Sequence, residues 1–133
     1  MRNLFVTIIL TCAAFFANAQ NTLTVHITNL KTNSGTVYLS LSNNGEEVVK
    51  KTKGTVTNKV CTLTLEDLVA GTYAVTYFHD ENDNSKMDTG MFGKPEEGYG
   101  YSNDARGFMG PADFEDQLFE IKSDLKITLT TVH

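Results

Sequence analysis

Apolar and polar residues alternate one for one over much of this chain. Leu23, Val25 and Ile27 interleave with Thr24, His26 and Thr28, the period-two pattern of a half-buried strand. Asn33-Ser34-Gly35 marks a turn. Val37, Leu39 and Leu41 then alternate with Thr36, Tyr38 and Ser40, and Asn43-Asn44-Gly45 marks the next turn. Glu46 to Lys53 is weakly patterned and lysine-rich, as in a protected edge strand. Cys61, Leu63 and Leu65 share one face of a further strand, and Tyr73, Val75 and Tyr77 one face of another. Near the C-terminus Leu118–Ile121 and Leu125, Ile127 and Leu129 flank Ser123-Asp124, which predicts a terminal hairpin. No stretch after residue 20 sustains a helical period. The pattern predicts an all-β fold, an antiparallel Greek-key β-sandwich of about seven strands with one packed and one solvated face per sheet.

The alternation breaks once, between Phe78 and Phe114. This stretch is rich in Gly, Asn and Asp, yet it carries Phe78, His79, Phe92, Tyr99, Tyr101, Phe108 and Phe114. So many rings argue against a disordered linker. A loop of this length in a compact domain is usually functional, so residues 79–115 are expected to form one long ordered loop.

Its first half places Asp80, Asn82, Asn84, Lys86 and Asp88 at alternate positions one to nine of a calcium-type loop. Calcium takes six to eight oxygens, and alternate side chains in a tight loop converge on one point. Lys86 offers only its backbone carbonyl, and Glu81 and Asp83 point away. Ser85 stands where a glycine is expected at position six, and Met91 where a bidentate glutamate is expected at position twelve. With a strand ending at Phe78, this is no EF-hand. Glu96 or Glu97 folding back is the candidate source of the missing carboxylate. The competing reading is an Asx-rich turn, since Asn and Asp bond their own backbone and tolerate left-handed conformations.

The second half carries Tyr99, Tyr101 and Arg106 among glycines. These residues form either a ligand surface or, with Phe108, a small cluster capping the sandwich. Arg106 is expected to pair with Asp88, Glu97 or Asp104.

Residues 1–19 combine Arg2, an apolar run from Leu4 to Phe16, and Ala17-Asn18-Ala19. That is the form of a secretory signal peptide, too short for a membrane span. Residues 20–133 then make one β-sandwich domain in the periplasm or outside the cell. Eleven Lys and Arg stand against sixteen Asp and Glu, a net charge of −5. Loss of Arg2 makes it −6. Such an acidic balance disfavours nucleic acid and anionic membranes as partners. Loss of Cys12 leaves Cys61 alone, so no internal disulfide forms.

Gly71–Asn84 (G-T-Y-A-V-T-Y-F-H-D-E-N-D-N), Lys86–Asp88 (K-M-D), Glu97–Gly107 (E-G-Y-G-Y-S-N-D-A-R-G) and Gly110–Asp116 (G-P-A-D-F-E-D) resemble a bacterial secreted family, domain of unknown function 2141. The resemblance implies a transthyretin-like or immunoglobulin-like sandwich and no established activity. Members of that family often carry glycine where this chain has Ser85. Leu68–Tyr73 also resembles the L-x-x-G-x-Y corner of prealbumin-like modules, in which the tyrosine packs at a sheet corner.

The expected function is that of a secreted, non-catalytic binding or structural module with weak Ca2+ binding at Asp80–Asp88. Its expected partner is an extracytoplasmic protein or carbohydrate. The alternatives are a carbohydrate-binding domain using the loop tyrosines, and a hydrolase using His79, Asp80 or the Glu96–Glu97 pair. The chain contains no G-x-S-x-G, H-E-x-x-H or P-loop pattern.

Overall fold

A computed structural model describes residues 20–133. The expected leader, residues 1–19, lies outside the described residues. Eight strands follow: β1 (Asn21–Thr28), β2 (Thr36–Asn43), β3 (Val48–Thr55), β4 (Cys61–Leu68), β5 (Gly71–Asp80), β6 (Tyr99–Tyr101), β7 (Phe119–Ile121) and β8 (Leu125–Thr130). They form two sheets. One has the order β4-β1-β8. The other runs β3-β2-β5, with β6 and β7 sharing the far edge of β5. The result is the expected all-β sandwich.

The predicted alternation sets the core. Leu23, Val25 and Ile27 of β1, Val37, Leu39 and Leu41 of β2, Cys61, Leu63 and Leu65 of β4, and Tyr73, Val75 and Tyr77 of β5 are all buried together. Burial pushes the Cys61 thiol up, as suits a packed residue rather than a reactive one. β3 is an edge strand, with Lys51 and Lys53 exposed. At the β4–β5 corner the Tyr73 hydroxyl donates to the Val69 carbonyl at 2.6 Å, which closes the corner that the L-x-x-G-x-Y motif implied.

Two expectations fail. The terminal hairpin does not form. β7 pairs antiparallel with Gly71–Tyr73 of β5, whereas β8 crosses to the other sheet and pairs parallel with β1. A short polar turn fits a hairpin or a crossing between sheets equally well, and the open edge of β1 decides between them. The long loop is also not free of strand. β5 continues to Asp80, and Tyr99–Tyr101 pairs with Thr76–Phe78 as β6. Gly100 is what lets β6 dock. A Cβ there would lie 2.4 Å from the Tyr77 hydroxyl, so only glycine admits the buried ring beneath it.

Tyr77 sits at this junction and donates to Thr131 Oγ1 at 3.2 Å, while Thr131 donates to the Thr28 carbonyl at 2.8 Å. Burial pushes the Tyr77 phenol up to about 12, with the Asp104 charge adding to the shift. The folded value exceeds the unfolded value of about 10. This contribution is therefore intact below about pH 10 and is lost as pH rises to about 12, at a cost of roughly 2 kcal/mol. Alkaline unfolding followed by circular dichroism should show that loss, and Tyr77→Phe should flatten it while costing about 1 kcal/mol at neutral pH. Gly100→Ala should lower stability by about 1–3 kcal/mol in denaturant unfolding.

Candidate functional site

The acidic loop begins where β5 ends. His79 follows Tyr73, Val75 and Tyr77 on the inward face and is fully buried. Its Nε2 donates to the Ser34 carbonyl at 2.6 Å. Nδ1 has no hydrogen-bond partner and lies 3.9 Å from Glu81 Oε1. Asp80 points the other way, yet it too is fully buried, because the loop folds over it.

Asp80 organises the turn. Its Oδ1 accepts the Asn84 N–H at 3.2 Å and its Oδ2 the Ser85 N–H at 2.7 Å. The chain passes through left-handed conformations at Asp83 (φ 53°) and Ser85 (φ 64°). Ser85 thus makes the sharp turn normally given to glycine at position six. Asn84 Oδ1 accepts the Lys86 N–H at 3.1 Å. The carboxamide nitrogens of Asn82 and Asn84 both donate to the Asp88 carboxylate, Asn84 at 2.7 Å. These amides, chiefly that of Asn84 and then that of Asn82, hold the Asp88 carboxyl below the usual aspartate range, with a smaller contribution from Lys86.

Asp88 is thus bonded to Asn82 and Asn84, while the Asp80 carboxylate turns to the Asn84 and Ser85 N–H groups. The Lys86 side chain is exposed. Among the described residues no three His, Cys, Asp or Glu side chains group to hold a metal. The donors available are two carboxylates, two carboxamides and a backbone carbonyl. That set of hard oxygens suits Ca2+ and offers nothing to a softer metal.

Of the two glutamates, Glu97 folds back and Glu96 is exposed. Glu97 Oε2 accepts the Glu81 N–H at 2.6 Å and Oε1 the Asp88 N–H at 2.8 Å. Both oxygens thus brace the loop backbone. Thr36 Oγ1 donates to Asp83 Oδ1 at 2.9 Å, which ties the loop tip to β2. Sequence spacing alone did not reveal Thr36, because its partner lies 47 residues away.

The tyrosine half forms a separate cleft of about 430 Å³ lined by Lys94, Pro95, Tyr99, Tyr101, Met109 and Pro111. Tyr99 and Tyr101 are half-buried, with ring centroids 6.1 Å apart at 76°. They do not make a coplanar platform. Phe108 is 93% exposed, so it does not join a capping cluster. Arg106 is exposed and outside the cleft lining. It makes no ion pair; among the described residues the Lys or Arg paired with a carboxylate is Lys122, with Glu120. The expected pairing with Asp88, Glu97 or Asp104 is not formed, because the segment carries the arginine outward.

Residues 25–128 match the model of a family described as uncharacterized protein conserved in bacteria (DUF2141). The chain belongs to this family. For DUF2141 the match takes in part of β1 and of β8, all of β2 to β7, the acidic loop and the tyrosine cleft. No curated protein and no solved structure matches the chain. Among the described residues of this DUF2141 domain no helix is long and apolar enough to cross a membrane.

The depressed Asp88 carboxyl makes a pH prediction. Its contribution to loop order is present above the unfolded value of about 3.9 and is lost as pH falls through the lower folded value. Side-chain amide resonances of Asn82 and Asn84 should hold their positions down to about pH 4 and move only below it. Asn84→Ala should shift the Asp88 titration upwards towards the ordinary range.

Proposed function

We propose that this DUF2141 domain is a non-catalytic module of the periplasm or cell exterior, and that a weakly bound Ca2+ at Asp80, Asn82, Asn84, the Lys86 carbonyl and Asp88 stiffens its long loop for binding a partner. The observation that supports this reading is a turn whose sixth residue, Ser85, is left-handed, held on one side by the Asp80 carboxylate and on the other by the bonding of Asn82 and Asn84 to Asp88. The extracytoplasmic address rests on the leader pattern of residues 1–19. With no glutamate at position twelve, affinity belongs in the range of extracellular modules, about 10⁻⁴ to 10⁻³ M. At calcium tenfold above a dissociation constant of about 10⁻⁴ M, linkage supplies ~1.4 kcal/mol, enough to order a loop without deciding whether the sandwich folds.

The non-catalytic reading draws on the placement of the hydrolase candidates. His79 has no solvent exposure and is bonded to Ser34. Asp80 is buried with both oxygens bonded to backbone, and Glu96 and Glu97 diverge. The carbohydrate alternative ranks lower, because rings at 76° give a sugar no shared plane to stack on.

Thermal unfolding in calcium, magnesium and chelator tests the proposal. A calcium-selective rise of roughly 5 °C is expected, and alanine at both Asp80 and Asp88 should abolish the rise while leaving the sandwich folded. No shift at millimolar calcium, or an undiminished shift in the double variant, would overturn it.

A further inference from the structure

The acidic loop and the tyrosine cleft adjoin, and Glu97 lies between Pro95 and Tyr99 of the cleft lining. Glu97 is only 4% exposed, and its two oxygens hold the N–H groups of Glu81 and Asp88. A carboxylate buried near Asp80, Glu81 and Asp88 is costly unless N–H groups compensate it, and here each oxygen has one. Glutamine would present one acceptor and one donor to the same two N–H groups. The geometry therefore explains why this position carries an acid.

The backbone around Glu97 is fixed to the sheet. The His79 N–H donates to the Gly98 carbonyl at 2.7 Å, and Tyr99 exchanges bonds with Val132 at 3.1 and 2.8 Å. On the other side, residues 88–90 pair with residues 94–96. The Glu96 N–H donates to the Asp88 carbonyl at 2.9 Å, the Gly90 N–H to the Lys94 carbonyl at 2.7 Å, and Thr89 bridges Pro95. Gly93, Lys94 and Pro95 form one wall of the cleft, and Tyr99 and Tyr101 also line it. The segment that carries Asp88 is thus hydrogen-bonded to the cleft wall.

We propose that Glu97 is a positioning residue that couples the acidic loop to the tyrosine cleft, so that ordering the loop at Asp88 sets the wall beside Tyr99 and Tyr101. The calcium half of this coupling rests on the function proposed above; the bracing by Glu97 does not.

The test compares purified wild-type protein with Glu97→Gln and Glu97→Ala, first in chelator and then in calcium. In chelator, amide hydrogen exchange at Glu81 or Asp88 should be at least tenfold faster in Glu97→Gln, and at both in Glu97→Ala. Exchange at Val25 in β1 should be unchanged, and the Tyr99 and Tyr101 ring resonances should shift. In calcium, Glu97→Gln should bind about tenfold more weakly, and the calcium-induced movement of the Tyr99 and Tyr101 resonances should shrink with it. Asp88→Asn is the control expected to weaken calcium binding while keeping Glu81 protected in chelator. Wild-type exchange rates at Glu81 and Asp88 in Glu97→Gln would overturn the bracing role. Unmoved tyrosine resonances would overturn the coupling. If wild-type protein gives no calcium response, the calcium reading fails, and the exchange and ring data in chelator still decide the role of Glu97. Should Glu97→Ala fail to fold, the near-isosteric Glu97→Gln carries the test.

Discussion

The central position of β5 is the constraint on which the other strands depend. One edge of this ten-residue strand is taken by β2 along eight residues. The other must be covered in two pieces, by β7 at Gly71–Tyr73 and by β6 at Thr76–Phe78. Between those pieces Ser102 is fully buried. Its Oγ accepts the Val75 N–H at 2.9 Å and donates to the Gln117 carbonyl. A buried strand edge cannot leave its polar groups unpaired. The excursion from Asp80 to Phe119 is therefore both a loop and the means by which one edge of the sheet is completed.

That requirement ties parts of the excursion to the sandwich. Several parts are held by distant strands, and others by the excursion itself. Asp83 is bonded to Thr36, Glu97 to Glu81 and Asp88, Tyr99 to Val132, and Asp104 Oδ1 to the Thr130 N–H at 2.8 Å. What remains outward is chemically sparse. It comprises a group of hard oxygens at the end of β5, a small tyrosine-lined cleft, and the exposed side chains of Met91, Phe108 and Met109.

The sequence by itself determined a great deal. Alternation in β1, β2 and β4 fixed which residues are inward, because a pleated strand buried on one face admits no other arrangement. The Asn and Asp residues after β5 determined a tight turn that bonds its own backbone, and Leu68–Tyr73 determined the corner, since both are short-range geometries contained within a few residues. Tertiary structure decided what depends on partners remote in the chain. It sent β8 to a parallel pairing with β1 instead of a hairpin with β7, and it made Gly100 indispensable through contact with Tyr77. It chose Glu97 over Glu96 as the buried brace, left Arg106 unpaired among the described residues, and set the two tyrosines edge to face. Local preference specifies the faces of strands and the shapes of turns. Which edge a strand completes, and which of two adjacent glutamates is buried, depends on where the rest of the chain has already placed its unpaired N–H groups.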